Sequence, residues 1–362
     1  MKKSRRHGKI TLSEVAAAAS VSAVTVSRAL RDPSVVSEMT LARIREAVAE
    51  LGYVPNFAAQ ALASKSTNVI GALIPSVTNN VFSDVLRGMY DAVEGTRYQL
   101  QLGNTRYSTI EEERLLRTFL SQRPAGLIVT GIDQSQVARG LLDGAGCPIV
   151  QIMEIGDDPV DMMVGFSHRR AAHDAVDHLI AQGYRRIGFI GARMDPRTQR
   201  RLQGFRDALN GAGLLDEQLI VTTTHPSSTS LGAHLLGDLV GRRPDVDAVF
   251  CINDDLAVGA LFESQRRRLV VPDELGICGF NDLEIMSAAT PSLTSVLTNR
   301  EEMGRRSLEM LVQAIEGHRG VEKTVDIGYR VMARESTDRS RLAKVPATGL
   351  SRARSRKAAI RT

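Results

Sequence analysis

A short polar cluster near the N-terminus has residue types that contact nucleic acid. Thr25, Ser27 and Arg28 lie close together, and they supply hydroxyl and guanidinium donors suited to phosphates and base edges. Ser22 precedes them, where its hydroxyl can cap a helix. A helix that enters the major groove needs donors of this kind. The cluster favours DNA binding, but from the local pattern alone an ordinary helical hairpin at a domain edge is an equally good interpretation.

Three short helices are predicted to position this cluster. Apolar residues recur at helical spacing over residues 11–30, on both sides of a polar break, which predicts two helices and a tight turn. The dipeptide Asp32-Pro33 ends the second helix. A third helix is predicted over about residues 40–51, stopped by Gly52. The expected core of this small head is Leu12, Val15, Val26, Leu30, Ile44 and Val48.

The segment that follows the head, residues 53–66, is rich in alanine and leucine. Asn56 can cap a helix there, although a segment of this length is not stable as an isolated helix in water. It is therefore either a plain linker or a helix that awaits a partner. Leu62 is the apolar residue that could act as a wedge between base steps if two such helices meet in the minor groove.

From residue 68 onward, short apolar runs alternate with amphipathic helices. Strands are predicted near residues 69–75, 98–102, 126–130, 149–152, 186–190, 219–222, 248–252 and 275–279. Helices are predicted near residues 81–95, 110–122, 135–144, 171–182, 198–212, 230–241, 255–267 and 301–317. This alternation indicates parallel sheets covered on both faces, with enough strands for two sheets. The predicted fold class is an all-α helix-turn-helix head followed by an α/β core of two lobes, with a ligand cleft at the carboxyl ends of the strands.

Polar side chains follow several of the predicted strands. They are Ser76, Asn79, Arg197, Arg200, Arg201, Asn253, Asp254, Asn281 and Asp282. The strand-end rule predicts that all of them face the cleft between the lobes. For each Asn and Asp, capping of the next helix is an equally good interpretation. The arginines favour an anionic ligand through charge-assisted hydrogen bonds, and a solvated basic face is nearly as consistent with them.

The common catalytic and cofactor-binding patterns are missing from the sequence. There is no GxGxxG after a strand, no GxxxxGK[ST], no HExxH and no GxSxG. Cys147, Cys251 and Cys278 are far apart and lie in or beside apolar stretches, so we expect reduced packing residues. We therefore predict no catalytic residue, no metal and no cofactor, and a protein that is not an enzyme.

Charge is segregated along the 362 residues, whose net charge is +5. Residues 1–66 contain ten Lys and Arg against five Asp and Glu, and residues 339–362 contain eight Lys and Arg and no acid. A basic head suggests a polyanionic partner. The tail has no apolar periodicity, so we expect it to be disordered and without a specific partner. No apolar run is long enough for a membrane span and no signal peptide precedes the first helix, so no membrane contact and a cytoplasmic location are expected.

The ordered motifs resemble one family. The stretch TLSEVAAAASVSAVTVSRALRDP, the following VSEMTLARIREAVAELGYVPNFAAQALASKSTNVIGALIP, and the later NDDLAVGA and GICGFNDLE are similar to the lactose-repressor family of bacterial transcription regulators over about residues 10–335. The resemblance implies a three-helix head, a hinge helix, and a periplasmic-binding-protein-like core that dimerises and senses a small molecule. PSVTNNVFSDVLRGM, GARMDPRT and FCINDDLAVGALFE look most like the gluconate-utilisation repressors, which makes a sugar acid such as gluconate the expected effector.

The family's functional positions are carried over residue by residue. The resemblance implies that DNA is contacted by Ala23, Val24, Thr25, Ser27, Arg28, Asn56 and Leu62. It implies effector contacts at Ser76, Phe82, Arg201, Asn253 and Asn281, to which Arg197 is added because it begins the same arginine-rich helix. The implied boundaries are a head at 1–55, a hinge at 56–66, a core at 67–338 with a lobe boundary near 165 and a second crossing near 290–298, and a tail at 339–362.

The chain departs from the family pattern at the turn, at the reading positions and in the tail. Ser20 stands where the family usually has Gly in the turn, so the backbone must accommodate a side chain there. Ala23 and Val24 cannot donate hydrogen bonds and can only contact thymine methyl groups or read fit. The tail has no leucine heptads, so the expected state is a dimer without the lactose repressor's tetramerising helix.

Three functions are compatible with this organisation. The first is a dimeric repressor that binds a pseudo-palindromic operator and responds to a small effector. A solute-binding protein for sugar or sugar-acid transport has a similar two-lobed core, but the basic head and missing signal peptide argue against it. A sugar-acid enzyme is the third, and the missing base, nucleophile and cofactor motifs argue against it.

Overall fold

The computed structural model describes residues 10–31, 33–54, 67–318, 320 and 322–340. It divides into two compact units, residues 1–67 and residues 68–362. The predicted hinge helix, with Asn56 and Leu62, lies outside the described residues, as does the basic tail from residue 341 onward.

The first unit is a three-helix head. Its helices are α1 (Leu12–Ala18), α2 (Ala23–Arg31) and α3 (Glu38–Leu51), with one 3-10 turn at Pro33–Val35. Capping explains the boundaries, because Thr11 and Glu14 form a reciprocal capping box and Gly52 ends α3 at a φ of 63°. The fully buried core consists of Val15, Ala16, Ala19, Val26, Ala29, Ile44 and Ala47.

The second unit contains two lobes, each built on a six-stranded sheet. The first lobe has the strands β1 (Val69–Ile74), β2 (Gln99–Asn104), β3 (Gly126–Thr130), β4 (Ile149–Ile152), β5 (Met162–Gly165) and β11 (Thr324–Asp326). Its helices are α4 (Asn80–Val93), α5 (Thr109–Ser121), α6 (Gln136–Asp143) and α12 (Arg300–Ile315). The strand order is β11-β5-β4-β3-β1-β2, and all pairs are parallel.

The second lobe repeats this arrangement. Its strands are β6 (Ile187–Gly191), β7 (Ile220–Thr222), β8 (Ala248–Cys251), β9 (Gly276–Asn281), β10 (Thr294–Thr298) and β12 (Tyr329–Met332). Its helices are α7 (His168–Ala181), α8 (Pro196–Gly211), α9 (Thr229–Arg242), α10 (Asp254–Arg267) and α11 (Glu284–Ala288). The order is β12-β10-β9-β8-β6-β7, parallel except for the edge strand β12. The predicted fold class, a helix-turn-helix head with a two-lobed α/β core, is confirmed.

Four strands have no counterpart in the sequence prediction: β5, β10, β11 and β12. They are three to five residues long, and two of them close the edges of the sheets, so their apolar periodicity is short. Together they show that the chain passes between the lobes three times, after β5, after β10 and after β11. We call these three connections the core hinge, because they are where the chain joins the two lobes.

Paired helices pack closely at glycines in both lobes. A Cβ on Gly88 of α4 would overlap the carbonyl of Glu301 on α12, and a Cβ on Gly204 of α8 would overlap the carbonyl of Arg169 on α7. Such backbone approach is possible only without a side chain. The glycines therefore fix how α4 packs against α12 and how α8 packs against α7. Among the described residues, no helix is long and apolar enough to span a membrane.

Candidate functional site

The turn of the helix-turn-helix contains one backbone feature that the sequence anticipates. Ser20 has a φ of +52°, which lies in the left-handed region that glycine adopts without steric cost. Its amide donates to the carbonyl of Ala17, and the amide of Val21 donates to the carbonyl of Ala16. The turn therefore closes α1 in a left-handed conformation even though it lacks the expected glycine.

Helix α2 carries the five residues predicted to read DNA within the described head. Val24 is 61% exposed, Arg28 is exposed, and Ala23, Thr25 and Ser27 are half-buried. The hydroxyl of Ser22 accepts from the amide of Thr25 at 3.1 Å and pairs with the Thr25 hydroxyl at 2.8 Å. The exposed face thus presents a large apolar side chain beside a guanidinium, and the cap holds Thr25 in place.

The second candidate site is a cavity of about 280 Å³ between the lobes. The carboxyl ends of β1 and β2 and the start of α4 form one wall, and the loops after β6, β8 and β9 form the other. All six residues predicted to contact the effector line it, namely Ser76, Phe82, Arg197, Arg201, Asn253 and Asn281. The structure therefore brings together residues as far apart in the chain as Ser76 and Asn281.

Helix α8 supplies the positive charge of the cavity. Asp195 caps the helix by accepting from the amide of Thr198 at 2.9 Å, and Pro196 occupies the first turn. Arg197 and Arg201 then lie one turn apart on the face that lines the cavity. Two of their nitrogens, Arg197 Nη1 and Arg201 Nε, are buried and have no hydrogen-bond partner within the described part of the chain.

Burial and neighbouring charges set the ionisation of this helix. Burial lowers the pKa of Arg201 to about 10, partly offset by Asp195, so the guanidinium stays charged at neutral pH. Burial alone would raise the pKa of Asp195, but the Arg197 charge and the Thr198 amide leave it below its usual value. The guanidinium of Arg201 stacks 3.9 Å above the ring of Phe280 and donates to the carbonyl of Ile252. These contacts fix its orientation.

The opposite wall comes from the first lobe. Asn79 caps α4 by accepting from the Val81 amide, and it donates to the hydroxyl of Tyr107 at 3.1 Å. The guanidinium of Arg193, from the second lobe, lies 3.9 Å from the centre of the Tyr107 ring. Tyr107 and Arg193 therefore join the lobes at the cavity, and both have a positive φ.

Capping and cavity lining are not exclusive alternatives. Asn253 accepts from the amide of Leu256 at 3.1 Å and so caps α10, and it also lines the cavity. Asn281 ends β9 with a φ of +113° and lines the cavity as well.

Three of the strand-end residues do not line the cavity, contrary to the prediction. Asp254 is buried and accepts from the amide of Leu283 at 2.7 Å and from the hydroxyl of Ser295 at 2.6 Å. Asp282 pairs with Arg334 at 2.6 Å. Arg200 reaches the first lobe outside the cavity and forms a bidentate pair with Asp133. The strand-end rule identifies the correct loops, but each side chain's direction depends on the local backbone.

Several lining residues have no counterpart among the predicted sites. The main ones are Tyr107, Arg193, Asp195 and Asp255. Asp195 had a usable signal, since Asp-Pro before an arginine-rich stretch marks a helix start. Tyr107 lies in the loop after β2 in the first lobe, and Arg193 lies in the second lobe. Their contact depends on how the two lobes are arranged, which no sequence pattern predicts.

The cavity is lined mainly by polar and charged side chains. Among the described residues that line the cavity there is no His, Cys or Lys. Cys251 and Cys278 are buried, and burial raises the pKa of each thiol. Within the described chain, one His-Asp-Asp group on α7 has ligand atoms close enough for a metal. It consists of the half-buried His173 and the exposed Asp174 and Asp177, and it lies outside the cavity.

A helix-turn-helix head and a polar cavity between two α/β lobes define a ligand-responsive DNA-binding protein. The family model "Bacterial regulatory proteins, lacI family" matches the head at residues 11–56, and the model "Periplasmic binding protein-like domain" matches residues 176–337 of the two-lobed unit. The chain is 42% identical to the HTH-type transcriptional regulator GntR of Pseudomonas aeruginosa, over 93% of this chain and 98% of that protein. It is 39% identical to GntR of Escherichia coli K12, over 88% and 96% of the two chains.

A solved structure gives the same result for the fold. A LacI-family transcriptional regulator from Silicibacter pomeroyi is 36% identical, with a TM-score of 0.85 over 91% of this chain and all of that chain. The chain belongs to the LacI family of bacterial regulatory proteins, and it is a DNA-binding transcriptional repressor of that family.

Proposed function

We propose that this repressor acts as a homodimer on a pseudo-palindromic operator and is controlled by a sugar acid, with gluconate the first candidate. The observation that carries the effector assignment is the pair of buried guanidinium nitrogens on Arg197 and Arg201, for which the residues that the structure describes supply no hydrogen-bond partner. A buried donor without an acceptor costs about 1–3 kcal/mol, and more when it is charged. A ligand carboxylate would supply the missing acceptors through charge-assisted bonds.

The remaining lining residues suit a chain of hydroxyl groups. Asn79, Asn253 and Asn281 offer both donors and acceptors, and Asp195 and Asp255 offer acceptors for hydroxyl protons. The cavity is also lined by three arginines, Arg193, Arg197 and Arg201, so its positive charges exceed its negative charges by one. This balance favours a ligand with one negative charge and several hydroxyl groups. An aldonate has this combination, whereas a neutral sugar lacks the charge that the arginines require.

The proposed operator contact rests on the exposed face of α2. Val24 would contact a thymine methyl group, and Thr25, Ser27 and Arg28 would contact phosphates and base edges. With little hydrogen-bonding capacity at Ala23 and Val24, specificity would also depend on the spacing of two heads in a dimer and on the Leu62 wedge. The Leu62 assignment comes from the sequence, because that residue lies outside the described residues.

The proposed control mechanism follows from the position of the cavity. Its walls belong to different lobes, so an occupant contacts both and favours the lobe arrangement in which both walls reach it. The effector can change operator affinity only to the extent that it binds the operator-bound and operator-free states with different free energies.

A titration tests the proposal. Operator affinity of the full chain is measured by fluorescence anisotropy at fixed salt, with and without D-gluconate, and gluconate binding is measured by calorimetry. We expect gluconate to bind and to change operator affinity by at least fivefold, the lower end of typical allosteric coupling. D-glucose, which lacks the carboxylate, is the matched control. The effector assignment would be contradicted if glucose and gluconate had equal effects, or if neither ligand had an effect.

A further inference from the structure

Helix α8 has a second interlobe contact beside the cavity. Arg200 donates to both carboxylate oxygens of Asp133, with Nη1–Oδ2 at 2.7 Å and Nη2–Oδ1 at 2.6 Å. Asp133 belongs to the loop after β3 in the first lobe, and Arg200 belongs to the second lobe. A bidentate pair of this kind fixes both distance and orientation. It therefore holds α8 against the first lobe.

The same arginine reaches a buried carboxyl at the hinge. Arg200 Nε lies 3.6 Å from Oε2 of Glu154, which follows β4 in the first lobe and is 2% exposed. The same oxygen lies 3.0 Å from Nδ1 of His168, the first residue of α7, just after the chain crosses from β5. Arg200 is thus linked to Asp133 in the first lobe and, through Glu154, to His168 at the start of α7.

The neighbouring arginine reaches the same hinge by a different path. Arg201 stacks on Phe280, whose ring centre lies 5.9 Å from that of His168. His168 is fully buried and stacks on Phe166 at 4.4 Å. Two adjacent residues of one helix therefore have different roles: Arg200 forms the interlobe pair and Arg201 lines the cavity. Each is connected to His168, Arg200 through Glu154 and Arg201 through Phe280. A shift of α8 cannot change one contact without changing the other.

We propose that Arg200 is a positioning residue that clamps α8 to the first lobe and thereby presents Arg197 and Arg201 to the effector. This proposal rests on the proposed function of the cavity. Without the Arg200–Asp133 pair, α8 can move relative to the first lobe. Part of the binding free energy of the effector is then used to restore the lobe arrangement in which this pair forms.

The sequence offers a matched control on the same helix. Arg206 of α8 also forms a bidentate pair, with Glu217 at 2.8 Å for both bonds, but Glu217 belongs to the same lobe. Arg206→Ala removes the same charge and the same number of hydrogen bonds from α8 without breaking a contact between lobes.

The first experiment needs no ligand. Hydrogen exchange of the full chain is compared for wild type, Arg200→Ala, Asp133→Ala and Arg206→Ala. We expect faster exchange in residues 131–135 and in the first two turns of α8 for both clamp variants, and wild-type exchange at these sites for Arg206→Ala. Unchanged exchange in the clamp variants, or an equal change in the control, overturns the clamp.

The second experiment measures coupling to the cavity. Calorimetry with gluconate should give a Kd raised about tenfold by Arg200→Ala and by Asp133→Ala, with the double variant no worse than either single variant. Arg200→Lys, which keeps the charge and loses the fork, should recover part of the affinity. Additive losses, or a similar loss in Arg206→Ala, overturn the coupling. If wild type binds no gluconate, the effector assignment fails, and the exchange experiment alone decides whether the clamp exists.

Discussion

Two helices of this chain carry most of the predicted binding residues, and they differ in what surrounds those side chains. On α2 the predicted reading residues are exposed or half-buried, and the core of the head lies on the opposite face. On α8 the cavity arginines are almost completely enclosed, and Arg201 is only 7% exposed. Exposed side chains can be exchanged without changing what supports the fold. The difference implies that specificity for DNA and stability are separable in the head, whereas ligand binding and structure are coupled in the core.

The largest expected effect comes from Arg201→Ala. The substitution removes a buried cation from the cavity and leaves the carbonyl of Ile252 without this donor. We expect gluconate affinity to fall by about a hundredfold or more, since removing one partner of a buried charged pair typically costs about 2–5 kcal/mol. Operator affinity without effector should stay within about threefold of wild type. Calorimetry and anisotropy on the same preparation measure both quantities.

The outcome also tests the comparison between the helices. Because α8 couples binding to structure, Arg201→Ala should lower the midpoint of thermal unfolding as well as the affinity. An unchanged affinity would remove Arg201 from the binding site, and lost affinity with an unchanged midpoint would show that the cavity tolerates substitution as the head does.

The second prediction concerns pH. Burial raises the pKa of Glu154 to about 7, although Arg200 and the amides of Ile155 and His168 act in the opposite direction. Burial and the nearby arginines place the pKa of His168 well below its usual value, so the imidazole is neutral. A carboxyl whose pKa is raised by folding stabilises the protein fully at a pH below its pKa in the unfolded chain, near 4.5. This stabilisation is lost as the pH rises through its pKa in the folded protein, about 7.

Glu154→Gln removes this titration while keeping the shape of the protonated carboxyl. We expect the variant to gain about 2 kcal/mol relative to wild type between pH 5 and pH 8, at roughly 1.4 kcal/mol per pKa unit. Urea unfolding followed by circular dichroism at several pH values measures the difference. Glu217→Gln is the control, because the bond from Arg206 lowers the pKa of Glu217 and its difference from wild type should stay constant over this range. If the difference in unfolding free energy between Glu154→Gln and wild type were constant over this pH range, the raised pKa of Glu154 would be refuted.

The same contrast explains what the sequence predicts well. Helical periodicity and capping residues locate the three helices of the described head, because short amphipathic helices have their apolar faces on one core. Alternating strands and helices predict the two lobes, and the strand ends predict which loops meet, so Ser76, Asn253 and Asn281 fall in one cavity. Their role as effector contacts stays a prediction.

The unpredicted part depends on direction and on long-range closure. Asn253 and Asp254 are adjacent, but successive side chains at a helix start diverge, so one lines the cavity and the other enters the lobe. Asn281 and Asp282 both have a positive φ, which turns Asp282 toward Arg334. The contact of Tyr107 with Arg193 joins segments whose distance is set by the hinge. No local pattern encodes it.

Arg28→Ala should have a smaller and purely functional effect. The residue is exposed on α2, so thermal stability should not change. We expect operator affinity to fall by about tenfold, and the slope of its logarithm against the logarithm of salt concentration to decrease by about one, as for a lost phosphate contact. Anisotropy at three or more salt concentrations measures both. Arg45→Ala, an exposed arginine on α3, is the charge-matched control. Equal slopes for the two variants would mean that Arg28 contributes only general charge.

The smallest expected effect tests whether head stability can be changed without changing DNA reading. Ser20 has a φ of +52° and an exposed side chain. Ser20→Gly removes a backbone strain of about 1 kcal/mol, and the higher entropy of the unfolded chain offsets part of this gain. We expect the free energy of unfolding to rise by about 0.5 kcal/mol. Ala17→Gly, at an exposed position inside α1, should destabilise the helix by about 1 kcal/mol. Hydrogen exchange of α1 and α2 in the full chain should slow in the first variant and accelerate in the second. Slower exchange with unchanged operator affinity supports the separation of stability from reading, and altered operator affinity would show that the turn itself contributes to recognition.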